Sequence, residues 1–140
     1  MPIELVPLCT IRAQLKPPID VGAGPAGTRM IVEVASARFT GDRLTGELLG
    51  NGSADWSVLS ADGTGTVDAR VTVRTDDGAT VFVQYNGRLD ATQGFPVKAY
   101  VAPRFETGDE RYAWLNRIQA VGKGSLNADL SLDYEWYEVR

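Results

Sequence analysis

The strict period-two alternation of this chain constrains its fold more than any other feature. In Thr66-Val67-Asp68-Ala69-Arg70-Val71-Thr72-Val73-Arg74, Val and Ala take one face and charged or hydroxyl residues the other. An extended strand satisfies that pattern and a helix does not. The same reading gives extended segments near Ile3 to Leu15, Arg29 to Phe39, Leu44 to Leu49, Asp55 to Leu59, Thr80 to Tyr85, Pro96 to Phe105, Arg117 to Val121 and Ala128 to Val139. Between them, Asn51-Gly52, Asp62-Gly63, Asp77-Gly78 and Asn86-Gly87 offer the positive φ that tight hairpins require, so consecutive strands are expected to pair antiparallel. Only Glu110 to Asn116 suits a helical turn, and it is too short to form a layer, which disfavours a doubly wound α/β fold. Few Pro or Lys residues guard any strand as an edge, and closure solves that problem. The expected fold is all-β: a single antiparallel meander β-barrel of about eight to ten strands, with one short helical turn near the mouth, spanning residues 1–140 as one domain.

Composition narrows the chemistry. The chain carries 18 carboxylates against 14 Lys plus Arg and gathers no basic patch, so nucleic acid and anionic membrane surfaces are poor partners. No apolar run approaches the roughly 18 residues of a spanning helix, and the N-terminus lacks a basic-then-apolar leader pattern; a cytoplasmic location is expected. Cys9 is the only cysteine and histidine is absent. These absences exclude an internal disulfide, His and Cys zinc sites within one chain, and Ser-His or Cys-His nucleophile systems. No acidic loop signals a metal, and none is expected. Any chemistry falls to Asp, Glu, Tyr, Arg, Lys or the backbone. Cys9 reads as a buried small hydrophobe. Gly22-Ala23-Gly24-Pro25-Ala26-Gly27 spells Gly-x-Gly-x-x-Gly, but a strand rather than a helix follows it and Pro25 removes a donor. It is therefore read as a flexible loop or a turn at a barrel mouth, and no nucleotide cofactor is expected.

Several stretches, spread in order over nearly the whole chain, together resemble the domain-of-unknown-function family 3237. They are Pro7-Leu8-Cys9, Gly22 to Arg29, Ala54-Asp55-Trp56, Asp68-Ala69-Arg70, Arg74-Thr75-Asp76-Asp77-Gly78, and the long run Pro103 to Asn116. The resemblance implies a closed or nearly closed barrel and a homo-oligomer, with no settled reaction.

Candidate site residues follow from residue type and motif. Alternation leaves two choices open: either Val67, Ala69, Val71 and Val73 line the barrel, as is usual for small barrels, or Asp68, Arg70 and Thr72 do, as their place in the family motif suggests. Asp55 and Trp56 begin a strand near a rim, where a carboxylate beside aromatic surface gains a raised pKa for proton transfer; the alternative is a turn-capping Asp and a core Trp. Arg104 and Glu106 share one strand face and suit a substrate carbonyl, or else an ion pair with Asp68 and Arg70. Tyr112, Trp114 and Asn116 lie on the short helical segment, as a lid over the site or as a plug. Arg29 is a candidate anion or carbonyl clamp. Asp55, Glu106, Arg70 and Tyr112 are the catalytic candidates. Arg29, Trp56, Asp68, Arg104, Trp114 and Asn116 are the substrate-binding ones. Tyr134 and Trp136 share one face of the last strand and Tyr137 takes the other, so one set packs inside and the other suits a subunit contact.

The leading functional expectation is a cofactor-independent enzyme moving a proton on a small carbonyl-containing compound, as an isomerase, cyclase, hydratase or lyase. The alternatives are a non-catalytic barrel binding a small molecule and a structural or interaction barrel.

Overall fold

A computed structural model describes every residue from Met1 to Arg140. In chain order the strands are β1 (Leu5–Leu15), β2 (Ile19–Gly24), β3 (Gly27–Thr40), β4 (Gly46–Leu48), β5 (Ala54–Leu59), β6 (Thr64–Thr75), β7 (Thr80–Asp90), β8 (Val97–Val101), β9 (Arg104–Glu106), β10 (Ala120–Leu126) and β11 (Ser131–Val139). A 3-10 helix, Glu110–Arg117, lies between β9 and β10. Eight strands close an antiparallel barrel, in the cyclic order β1, β3, β5, β6, β7, β8, β10, β11 and back to β1. Closure leaves these strands no free edge. The other three extend existing ladders. β2 follows β1 along the same partner, β3; β4 precedes β5 in the gap between β3 and β6; β9 follows β8 along β7.

The β6 row Val67, Ala69, Val71 and Val73 is buried, and Asp68, Arg70 and Arg74 are exposed. The apolar row faces the interior because a closed barrel of this size has little room to hydrate three charges there. The polar row of the family motif is thus an outer row. β7 continues the interior with Val81, Val83 and Tyr85, and β11 with Tyr134 and Trp136. One end of the barrel is filled by Leu8, Phe39, Leu44, Val73, Val81 and Phe105, with Leu115 of the 3-10 helix fully buried among the core residues. The Asp109 side chain caps that helix by accepting from the Arg111 backbone N–H at 2.9 Å.

Local expectations fare unevenly. Asp62-Gly63 and Asp77-Gly78 do form hairpin turns, with φ of 87° at Gly63 and 95° at Gly78. Asn86-Gly87 does not turn; it lies inside β7, where a Cβ on Gly87 would run into the Tyr100 carbonyl oxygen. This glycine serves close strand approach rather than a bend. The Gly-rich segment is the tip of the β2–β3 hairpin, strand at both ends with a turn at Pro25-Ala26, so of the two readings it is a turn and not a flexible loop. Pro96 to Phe105 divides at Ala102-Pro103 into β8 and β9, and the strand expected from Arg117 begins at Ala120 because the 3-10 helix runs through Arg117.

Candidate functional site

An internal cavity of about 100 Å³ occupies the half of the barrel away from the 3-10 helix. Its inner wall is buried and includes Ile11, Ala13, Ala37, Phe39, Ala69, Tyr85, Tyr134 and Trp136. Its rim is half-exposed or exposed and includes Leu15, Pro18, Val32, Leu89, Leu126, Leu130 and Leu132, while Val34 and Asp55 are half-buried between rim and floor. This gradient of burial marks the mouth, flanked by the β2–β3 hairpin. Small residues make the space. Ala13 and Ala37 face each other across β1 and β3, and Ala69 separates Asp55 from Tyr85 along one cross-strand row. On β10, Gly122 and Gly124 lie opposite Trp136 and Tyr134; a Cβ at Gly122 would overlap the indole, and one at Gly124 would stand 2.5 Å from the Tyr134 ring. The glycines let both rings lie flat over β10. The aromatic floor is built edge to face, with Trp136 centred 5.3 Å from Tyr85, 5.8 Å from Phe39 and 6.0 Å from Phe105, and Tyr85 6.1 Å from Tyr134.

Asp55 is the one ionisable carboxyl in this wall. It gets there because β5 runs in the opposite phase to β6: Asp55 and Ser57 point in, while Trp56 points out beneath Arg70, whose guanidinium lies 5.6 Å from the indole centre. Between Asp55/Ala69 and Val58/Thr66 the β5–β6 ladder lapses, and side chains replace it. The Asp55 Oδ1 accepts from the Asp68 N–H at 2.8 Å, and the Ser57 hydroxyl donates to the Thr66 carbonyl at 2.7 Å. Burial pushes the Asp55 carboxyl up to about 6; the Asp68 N–H opposes that and the Asp68 charge adds to it. No cation lines the cavity. Burial also raises Tyr85 and Tyr134, and the Asp55 charge raises both further. Both phenols therefore stay protonated and able to donate. The arrangement is an acid poised near neutrality beside two phenol donors in an apolar enclosure.

Of the ten residues singled out from the sequence, the cavity receives Asp55 alone. Asp68 is exposed and contributes its backbone N–H. Trp56 and Arg70 stack on the outer surface, and Arg29 donates to the Trp56 carbonyl at 2.8 Å. Arg104, Glu106 and Asn116 share a shallow outer groove with Phe82 and Gln84. The Asn116 amide clamps Thr107, accepting from its N–H at 2.8 Å and donating to its carbonyl at 2.9 Å. Tyr112 donates to the Asp77 carboxylate at 2.9 Å, and Trp114 lies 5.0 Å below Arg43, both at the closed end. These residues do not converge. Tyr85 and Ser57 are not among the residues singled out from the sequence, and for Tyr134 the sequence leaves open inside packing or a subunit contact. The signal for Tyr85 was its place in the Val81, Val83, Tyr85 row, whose first two members mark an inner face. No helix is long and apolar enough to cross a membrane.

Similar proteins are known. A UPF0311 protein of Rhodopseudomonas palustris is 30% identical over 133 residues, covering 86% of each chain. A hydroalkoxylation enzyme of Penicillium herquei is 32% identical over 102 residues, which is 72% of this chain and 58% of that protein. Among solved structures, a β-barrel-like protein of Acinetobacter baumannii superposes with a TM-score of 0.89 at 29% identity, over 100% of this chain and 98% of that one. An enzyme from Penicillium herquei superposes with a TM-score of 0.75 at 26% identity, over 99% and 96%. The family model described as "Protein of unknown function (DUF3237)" matches residues 3–139, and the chain belongs to that family.

Proposed function

We propose that the protein is an enzyme that transfers a proton to and from a neutral small molecule in an addition or elimination reaction, with Asp55 as the acid and base. The observation that carries this reading is a single carboxyl, held near pKa 6, in a cavity with no cation and an otherwise largely apolar wall. Such a wall favours an uncharged substrate, because a buried anion would find no counter-charge. Tyr85 and Tyr134 line the cavity as protonated phenols and suit a substrate oxygen on which negative charge develops. Addition of an O–H group across a C=C bond balances on this site: the protonated Asp55 gives its proton to carbon, the C–O bond forms as the π bond breaks, and the hydroxyl proton returns to the carboxylate. No redox equivalent is consumed. The relative named a hydroalkoxylation enzyme supports this class of reaction. The buried, lone Cys9 suits a reducing, cytoplasmic setting, and the outer apolar groove of Leu5, Tyr100, Val121 and Tyr137 suits a contact between copies.

The test is turnover of neutral alkenyl phenols in D2O. Wild-type protein is expected to place deuterium on carbon as the cyclic ether forms, and Asp55→Asn to lose at least about 100-fold in rate while still binding the phenol. Because most of the wall is apolar, a second reading as a binding barrel also has support. Binding without turnover by both proteins would establish it and remove the enzyme.

A further inference from the structure

The cavity has room for one aromatic ring at most, since about 100 Å³ is below the ~150 Å³ of an apolar cavity known to take benzene. What limits entry is therefore a question about the rim. Leu15, Val32, Leu89, Leu126 and Leu132 are rim residues on strands, positioned by their ladders. Leu130 is different. It sits in the β10–β11 turn with φ 67°, the one non-glycine residue of the chain in the left-handed region. Elsewhere the chain uses Gly for positive φ, at Gly22, Gly27, Gly50, Gly63, Gly78 and Gly94. A leucine is strained here where a glycine would not be, so the turn itself gains nothing from the side chain. The side chain lies half-buried against the cavity instead.

The turn also holds that side chain in place. The Leu130 N–H donates to the Asn127 carbonyl at 3.0 Å and its own carbonyl accepts from the Leu15 N–H at 2.9 Å. Asp129 accepts from the Ser131 N–H and hydroxyl at 3.0 and 2.6 Å, and Gln14 donates to the Asp129 carbonyl at 3.0 Å. These bonds tie the turn to the end of β1, the strand beside β11 in the ring, and so fix Leu130 at the rim. We propose that Leu130 is the specificity-determining residue of the cavity, a fixed constriction that admits single-ring neutral ligands and turns away fused two-ring ones. This rests on the reading of the cavity as a ligand site and adds the size class of what enters.

Calorimetric titration of phenol and 1-naphthol tests it, on wild type, Leu130→Gly and Leu130→Ala. Wild type is expected to bind phenol at least tenfold more tightly than 1-naphthol. Both variants are expected to gain at least tenfold for 1-naphthol while phenol changes less than threefold. Leu130→Gly relieves the backbone and Leu130→Ala does not, so a gain shared by both comes from the opened mouth rather than from altered strain. Unchanged 1-naphthol affinity in both folded variants, with phenol still bound, overturns the gate and leaves the proposed function standing. Failure of all three proteins to bind either probe overturns the ligand site and the gate together.

Discussion

Asp55 is a carboxylate that works against the fold. Its native pKa of about 6 lies above the unfolded value near 3.8, so the native state holds an extra proton between those values. Stability on this account falls as pH rises through the window from about 4 to 6, and the penalty is complete above it. Two pH units correspond to about 3 kcal/mol. Asp55→Asn keeps an oxygen to accept from the Asp68 N–H and removes the buried charge. It is expected to be more stable than wild type by about 2–3 kcal/mol at pH 8, and nearly equal at pH 4. Urea denaturation at the two pH values measures this; an equal difference at both would show that the Asp55 carboxyl is not the source. The exposed Asp62, Asp76, Asp77, Asp90 and Asp129 and the half-buried Asp109 are lowered by their hydrogen bonds, and shift both proteins alike toward lower stability as pH falls. Asp55 was legible as a candidate from its neighbours, because a carboxylate within an apolar strand start is unusual. Its partners Tyr85 and Tyr134 were not, because they come from β7 and β11, distant in sequence and joined only by closure of the sheet.

At the scale of the element, strand phase decides which side chains do chemistry. β5 and β6 both alternate, yet β6 turns its apolar row inward and β5 turns Asp55 and Ser57 inward. Period two guarantees that Asp55 and Trp56 part company; it does not say which goes in. The pairing of Asp55 with Ala69 and Val32 answers that, since cross-strand partners share a face. β10 shows the complementary device. Gly122 and Gly124 make it a poor strand by propensity, and their lack of side chains is what seats Trp136 and Tyr134. Gly122→Ala is expected to destabilise the protein by about 1–3 kcal/mol through overpacking, and to change the tryptophan near-ultraviolet dichroism as the indole is displaced. An unchanged spectrum together with unchanged stability would show that the indole does not rest on Gly122. The Asn86-Gly87 dipeptide misleads for a related reason: a glycine that bends a chain and a glycine that lets two strands touch look identical in one dimension.

Across the whole molecule the two ends of the barrel differ. The end under the 3-10 helix is packed with Leu115 fully buried, and the other end opens through an aliphatic rim. Leu115→Ala is expected to lower stability by about 2–5 kcal/mol, as cavity formation in a core does, and to leave phenol binding within about threefold, because the plug and the cavity occupy opposite halves. Thermal melts and titration of the same variant test both parts. Alternation and turn dipeptides by themselves determined that this chain is all-β and mainly antiparallel, since period-two burial and hairpin chemistry are local properties of neighbouring residues; closure into a barrel was read from unguarded edges and from the family resemblance. Absence of histidine and of a second cysteine likewise confined its chemistry to carboxyl, phenol and cationic groups. Only the tertiary structure decided that Asp55 faces Tyr85 and Tyr134 while Arg70, Arg104, Glu106 and Tyr112 remain outside or at the closed end. Inward and outward are defined by register around a closed ring, and register is a relation between strands that no single strand carries.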